Sequence, residues 1–268
     1  MNKNSNCRWR SLVGLGLAAL LAGCASVGDP GAPRPDPLEP YNRTVYQFNE
    51  TLDRILLKPV AQTYQELTPE IVDNGISNFF GNLGDVVVVF NDVLQLKGKQ
   101  ALQDTTRIFY NSTLGVLGFF DVASAMGLPK HNEDFGQTLG YWGVGEGYFL
   151  VLPVLGFTST RDVWSYPVDG YISPVSHVEP DQAQAALRVV EAVDIRADLL
   201  QAERAFMGAA LDPYSFAREA YFQRRENLVY DGNPPRREPN FEDDFQDDFE
   251  NDDLEGDFQG PAEEDGEA

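Results

Sequence analysis

The longest run of clear helical periodicity, from Asp181 to Met207, constrains this chain more than any other feature. Ala183, Ala186, Leu187, Val190, Val193 and Leu200 recur as a stripe, and Arg188, Glu191, Arg196 and Glu203 are among the polar positions. Apolar residues at three- and four-residue spacing line one face of an α-helix. Asp212-Pro213 then reads as an N-cap with proline at the first helical position, opening a helix that runs to Glu226.

The upstream chain repeats the pattern. Tyr41, Val45, Phe48, Leu52 and Ile55 share one helical face, which ends before Pro59. Residues 70–80 read as a helix with Ile71, Gly75, Phe79 and Phe80 on or near one side. Residues 85–96 fit two templates: the valine run has strand propensity, and a helix through Val86, Val89, Phe90, Val93 and Leu94 fits equally well. Residues 99–110 and 113–126 read as two further helices. The body is expected to be mainly α.

The start of the chain is an address. Lys3, Arg8 and Arg10 precede an apolar or small stretch over residues 11–22, the pattern of an export signal. That stretch is too short to span a bilayer, which takes about 20 residues. It ends in Leu21-Ala22-Gly23-Cys24, which matches a lipobox. Residues 1–23 are therefore expected to be a removed signal peptide, with Cys24 acylated as the new first residue. One acyl chain binds a membrane marginally and two hold it stably. Ala25 is not the aspartate that commonly retains such proteins at the inner membrane, so the expected destination is the outer membrane. Residues 24–40 are rich in proline and glycine and read as an extended tether. Removing the leader takes Cys7 with it, which leaves no pair for an internal disulfide.

Charge excludes one class of partner. The formal net charge is −22, of which fifteen acids and no bases lie from Glu238 to the end. With that tail and the three leader bases set aside, residues 24–237 keep −10. An acidic surface argues against nucleic acid. Residues 231–268 are expected to be a disordered acidic tail. Phe241, Phe245 and Phe249 recur every four residues there and also fit an amphipathic helix against a partner.

The middle of the chain is unusual. Gly136, Gly140, Gly143, Gly145 and Gly147 precede an apolar stretch from Tyr148 to Phe157. As a hairpin or short helix, that stretch either lines a cavity, sits within one leaflet or forms buried core. Gly143-x-Gly145-x-Gly147 is only a weak nucleotide-loop lookalike, with no lysine and hydroxyl residue after it.

Catalytic residues are scarce. The two histidines are His131 and His177, and no Gly-x-Ser-x-Gly elbow occurs. His131 with Glu133 and Asp134 lacks metal-ligand spacing and reads as an exposed loop. His177 reads as a loop histidine, with Asp169 and Glu179 near it in sequence. The expectation is no enzyme, no metal and no cofactor.

Several segments taken together resemble the MlaA (VacJ) family of outer-membrane lipoproteins. They include Asp36-Pro37-Leu38-Glu39-Pro40-Tyr41-Asn42-Arg43, Phe48-Asn49, Asn78-Phe79-Phe80-Gly81-Asn82-Leu83 and Asn111-Ser112-Thr113-Leu114-Gly115. Glu133-Asp134-Phe135-Gly136-Gln137-Thr138-Leu139-Gly140, Leu152-Pro153, Arg161-Asp162 and Asp212-Pro213-Tyr214 continue the match in order over residues 36–228. Two departures fall at the apolar stretch: Gly147-Tyr148 stands where many members have Gly-Pro-Tyr, and Gly156-Phe157-Thr158-Ser159 where many have Gly-Pro-Ser.

The resemblance implies a ring-like bundle of amphipathic helices (residues 41–230) lying in the periplasmic leaflet of the outer membrane, with an apolar hairpin. It implies a protein that removes mislocalised phospholipid from the outer leaflet without a catalytic step. The implied partners are phospholipid, an outer-membrane trimeric porin, and a periplasmic lipid carrier feeding an inner-membrane ABC transporter. Carried over by position, Phe48 and Asn49 are candidates for holding the ring against the membrane. Gly140, Gly143, Gly145 and Gly147 match a hinge, and Tyr148, Phe149 and Leu150 match the stretch near the pore. A scaffolding lipoprotein without transport is the alternative.

Overall fold

The computed structural model describes residues 36–207 and 212–235. Cys24, the tether up to residue 35 and the phenylalanines of the tail lie outside the described residues.

Helix α1 spans Glu39–Leu52, with a proline in its first turn. The expected stop before Pro59 does not occur. A π-helical turn, Asp53–Leu57, runs straight into α2, Lys58–Leu67. Pro59 comes just after that turn, inside the continuous helical run, where its missing N–H and its ring must be accommodated. The π turn supplies the local widening that its ring needs, and the Lys58 N–H reaches back to the Asp53 carbonyl.

Helix α3 runs from Glu70 to Leu94. The ambiguous valine run is therefore helical, continuous with the segment before it. Its buried face includes Gly75, Phe80, Asn82, Asp85, Val88, Asn91 and Asp92, with Gln95 just beyond the last turn. Phe90 and Val93, from the apolar template, face outward, Val93 being 59% exposed. Helix α4, Gly98–Thr113, behaves alike: Ala101, Asp104, Arg107 and Asn111 are buried, while Leu102 and Phe109 are exposed.

Residues 113–126 do not form the expected helix. Val116, Leu117 and Gly118 all take positive φ, at 54°, 58° and 94°, which no right-handed helix continues through. Only a one-turn helix remains, α5 (Val122–Ala125), where the Asp121 side chain accepts from the Ser124 N–H. Helix α6, Phe135–Tyr141, is capped in the same way by Asp134, which accepts from the Gln137 N–H.

The apolar stretch is a hairpin. Strands β1 (Phe149–Leu152) and β2 (Gly156–Ser159) pair antiparallel, with Phe149 opposite Ser159 and Leu152 opposite Gly156. After α7 (Ser165–Ile172), the long helix α8 spans Asp181–Met207 as expected. Of its expected stripe Val193 and Leu200 are buried, with Ala197 between them, whereas Ala186 and Val190 are exposed. Helix α9, Pro213–Val229, starts at the expected cap and runs past Glu226; Asp212 accepts from the Tyr214 N–H.

The packing is inverted relative to a water-soluble core. Among the described residues, eighteen polar or charged side chains are buried against fourteen apolar ones. The buried apolar clusters are small: Val45, Phe149, Val151, Tyr214 and Phe222 in one, Ala61, Ala197 and Leu200 in another. Large apolar side chains stand exposed on nearly every helix, Ile55 at 70% and Phe109 at 61%. Among the described residues, no helix is long and apolar enough to cross a membrane.

Candidate functional site

The hairpin is held by asparagines of α1. Asn42 is fully buried; its Nδ2 donates to the Phe149 carbonyl at 3.0 Å and its Oδ1 accepts from the Val151 N–H at 2.9 Å. Two turns on, Asn49 Nδ2 donates to the Leu152 carbonyl at 2.9 Å and its Oδ1 accepts from the Val154 N–H at 2.8 Å. A side-chain amide offers both N–H donors and a carbonyl acceptor, so it can pair a strand edge as a peptide does, and the second Asn42 N–H goes to Asp36. The two amides thus pair the free edge of β1, which otherwise has backbone groups unmet. Phe48, beside Asn49, points outward.

Phe149 is only 1% exposed and centres an aromatic cluster with Phe157, Tyr214, Tyr221 and Phe222. Leu150 is half-buried and Tyr148 exposed. At the hairpin tip Val154 and Leu155 are exposed.

The glycines before the hairpin differ in what they do. Gly140 lies against Val229 and Arg161, so that α6 meets α9 closely. Gly143 and Gly147 have φ of 87° and 70°, and Gly145 faces open space. The segment follows a helix and precedes a strand, the reverse of a phosphate-cradling loop. Trp142, exposed beside it, donates through Nε1 to the Leu94 carbonyl.

Below the hairpin lies an ionic network that sequence reading did not identify. Arg161 Nε donates to Asp162 Oδ1 at 2.7 Å, and Arg225 Nε lies 2.9 Å from Asp162 Oδ2. Arg225 also grips both oxygens of Asp134, and the Tyr221 hydroxyl donates to Asp162 at 2.6 Å. Burial pushes the Asp134 carboxyl up, but the hydrogen bonds and charge of Arg225 outweigh it and hold it at about 2. The Tyr221 phenol is pushed far up by burial and by the neighbouring Asp162 charge. A signal existed for part of it: Asp134 and Arg161-Asp162 fall in segments that carry the family resemblance.

The residues weighed for metal or acid–base chemistry scatter. His131 Nδ1 sits 2.8 Å from Asp104, Glu133 accepts from Gln95, Lys97 and Gln100, and Asp134 binds Arg225. His131 is thus tied to buried Asp104 and is not a free loop side chain. His177 Nδ1 faces the Ser173 carbonyl and its ring packs on Tyr171, while Asp169 accepts from Asn91 and the Phe135 N–H. Among the described residues no group of three or more metal-ligating side chains converges.

A polar interior, an apolar exterior and a short hairpin braced by side-chain amides define a helical protein suited to contact with lipid. The family model described as MlaA lipoprotein matches residues 34–228, and the chain belongs to that family. A protein of Escherichia coli (strain K12) named intermembrane phospholipid transport system lipoprotein MlaA is 38% identical over 227 residues, which cover 82% of this chain and 89% of that protein. A protein of the same name from Haemophilus influenzae is 34% identical over 222 residues, covering 80% and 88%. A solved structure described as "Structural basis for maintenance of bacterial outer membrane lipid asymmetry" has a TM-score of 0.65 and 35% identity, covering 73% of this chain and all of that one.

Proposed function

We propose that this protein is an outer-membrane lipoprotein that moves phospholipid, taking misplaced lipid from the outer leaflet and passing it inward without a catalytic step. The observation that carries the reading is the inverted packing: among the described residues more polar than apolar side chains are buried, and apolar ones cover the helices. The names and the solved structure of its relatives support the same class of work.

The physics explains why such a body helps. Exposing two lipid chains of about fifteen methylenes each, at about 0.8 kcal/mol per CH₂, costs roughly 25 kcal/mol. A headgroup in hydrocarbon is costly as well. A surface that offers polar groups to the head and apolar ones to the tails lowers both. Cys24 carries the acyl anchor in this reading and sets the body in the periplasmic leaflet. Phe48 and Asn49, the hinge Gly140, Gly143, Gly145 and Gly147, and Tyr148, Phe149 and Leu150 form the element that responds to lipid. Of these, Tyr148 is the one whose exposed ring reaches lipid, while Phe149 anchors the hairpin from inside. A trimeric porin holds the body in place, and a periplasmic carrier feeding an inner-membrane ABC transporter receives the lipid.

The test is reconstitution of the acylated protein in vesicles with a labelled phospholipid and a soluble lipid-binding acceptor. Transfer to the acceptor that depends on the protein is the expected result. Tight vesicle binding with no transfer above protein-free vesicles would instead favour a scaffold.

A further inference from the structure

We propose that the polar interior between α3 and α4 holds one exchangeable proton shared by the carboxyls of Asp92 and Asp104, and that this proton clamps the two helices together. Both side chains are 0% exposed and lie within hydrogen-bonding reach of each other. Among the described residues neither oxygen of Asp92 has a donor, nor does Oδ1 of Asp104. Asp104 Oδ2 faces His131 Nδ1 at 2.8 Å. Two carboxylates in contact away from water cannot both stay charged. One proton between them removes the repulsion and supplies the missing donor.

The surrounding charges point the same way. Asp85 comes from α3, Arg107 from α4, and Lys97 from the turn between them. Lys130, His131 and Glu133 come from the segment that packs across the pair. Lys130 lies 3.0 Å and Arg107 3.7 Å from Asp85, and Lys97 lies 2.9 Å from Glu133. Asp85, Asp104 and Glu133 are thus balanced by three cations, and an ionised Asp92 adds a fourth carboxylate with none in contact. Asp121 beside Arg107 and Asp231 beside Lys97 lie toward solvent and only deepen the negative excess. Asp169 of α7 approaches through Asn91, the neighbour of Asp92, and is pushed up by burial.

Burial raises the Asp92 carboxyl, and the charge of Asp104 raises it further, to about 7. The unfolded chain releases this proton at the ordinary carboxylate range near 4, so the folded state alone keeps it in mild acid. The clamp is fully present below that range and is lost as pH rises through about 7.

The experiment uses the acylated protein in lipid nanodiscs. Amide-exchange protection factors of α3 and α4 are followed from mildly acidic to mildly alkaline solution. The infrared carbonyl band of a protonated carboxyl is followed in parallel. Wild-type protection should fall with rising pH, by up to about tenfold per pH unit, the limit for one proton. The band should be present in mild acid and vanish around the pH at which the protection profile levels off. Asp92→Asn and Asp104→Asn keep the shape and remove the proton; each should flatten the profile and delete the band. His131→Gln removes the imidazole that faces Asp104 Oδ2 and should leave both signals. A wild-type protein without the band in mild acid would overturn the proposal, whatever the variants do. So would a profile that survives Asp92→Asn but disappears with His131→Gln.

Discussion

Asn42 hydrogen-bonds the backbone on either side of Leu150, donating to the Phe149 carbonyl and accepting from the Val151 N–H. With Asn49 doing the same at Leu152 and Val154, α1 serves as a third strand made of side chains. Asn42→Ala leaves both backbone groups unpaired in a buried place. Each such loss costs about 1–3 kcal/mol, so the thermal midpoint should drop markedly. Asn49→Ala should cost less, because this side chain is only half-buried and water can replace it. Asn42→Asp should not rescue, since a carboxylate cannot donate to the Phe149 carbonyl. Calorimetry of the three variants in detergent checks the order.

Arg225 bridges Asp134 and Asp162 and so ties α9 to α6 and to the segment after the hairpin. Removing one partner of a buried ion pair costs about 3–5 kcal/mol, because the other charge is stranded. Arg225→Met should therefore unfold the protein at far lower denaturant than wild type. Adding Asp134→Asn to that variant should recover part of the loss. A double variant no better than the single one would show that Asp134 is not the stranded group.

Acid should weaken the same network. Burial opposes ionisation of Asp134, yet the contacts from Arg225 dominate and hold it at about 2, below the ordinary 3.8. Its contribution is present above 3.8 and is lost as pH falls from there through about 2. Asp121 follows the same course: burial opposes its ionisation, and bonds from Ser124, Asn111 and Arg107 bring it to about 2. Denaturant midpoints measured down this range should fall in wild type, and less steeply in Asp134→Asn.

Gly147 and Gly143 separate two costs of adding a methyl group. Both have positive φ, which costs an alanine about 1 kcal/mol. A Cβ on Gly143 would meet nothing within 4 Å, whereas a Cβ on Gly147 would sit 2.0 Å from Thr160 Oγ1, the acceptor of the Tyr148 N–H. Gly147→Ala should therefore lose clearly more stability than Gly143→Ala. Equal losses would mean that the Thr160 side chain swings aside at no cost.

The helices were legible because a three-to-four-residue period marks a helix whichever side meets solvent. What the period could not tell was which side is inward. In α3 the apolar residues Phe90 and Val93 and the polar residues Asn82, Asp85 and Asn91 repeat equally well, and the polar set is buried. Sequence reasoning puts the apolar face inside, as water demands, and lipid reverses that demand. Three positive-φ residues at 116–118 broke an expected helix because Val116 and Leu117 give no local sign of that conformation. Among the candidate-site residues, Asn49 was legible through the family resemblance alone. Asn42 and Asp162 fell in segments that carried the resemblance but were given no role, and Arg225 was given none either, because contacts such as Asn42 to the hairpin and Arg225 to Asp134 join residues far apart in sequence.

The inverted packing is tested most directly by where introduced labels sit. Cys24 is acylated in this account, so a cysteine placed in the body is a unique thiol. Nitroxide labels at Ile55→Cys, Phe109→Cys and Leu199→Cys lie on three different helical segments, each at an exposed apolar position. In vesicles the account predicts strong relaxation by oxygen, which partitions into lipid, and weak relaxation by a water-soluble nickel chelate at all three. Full access of the chelate to all three would contradict it.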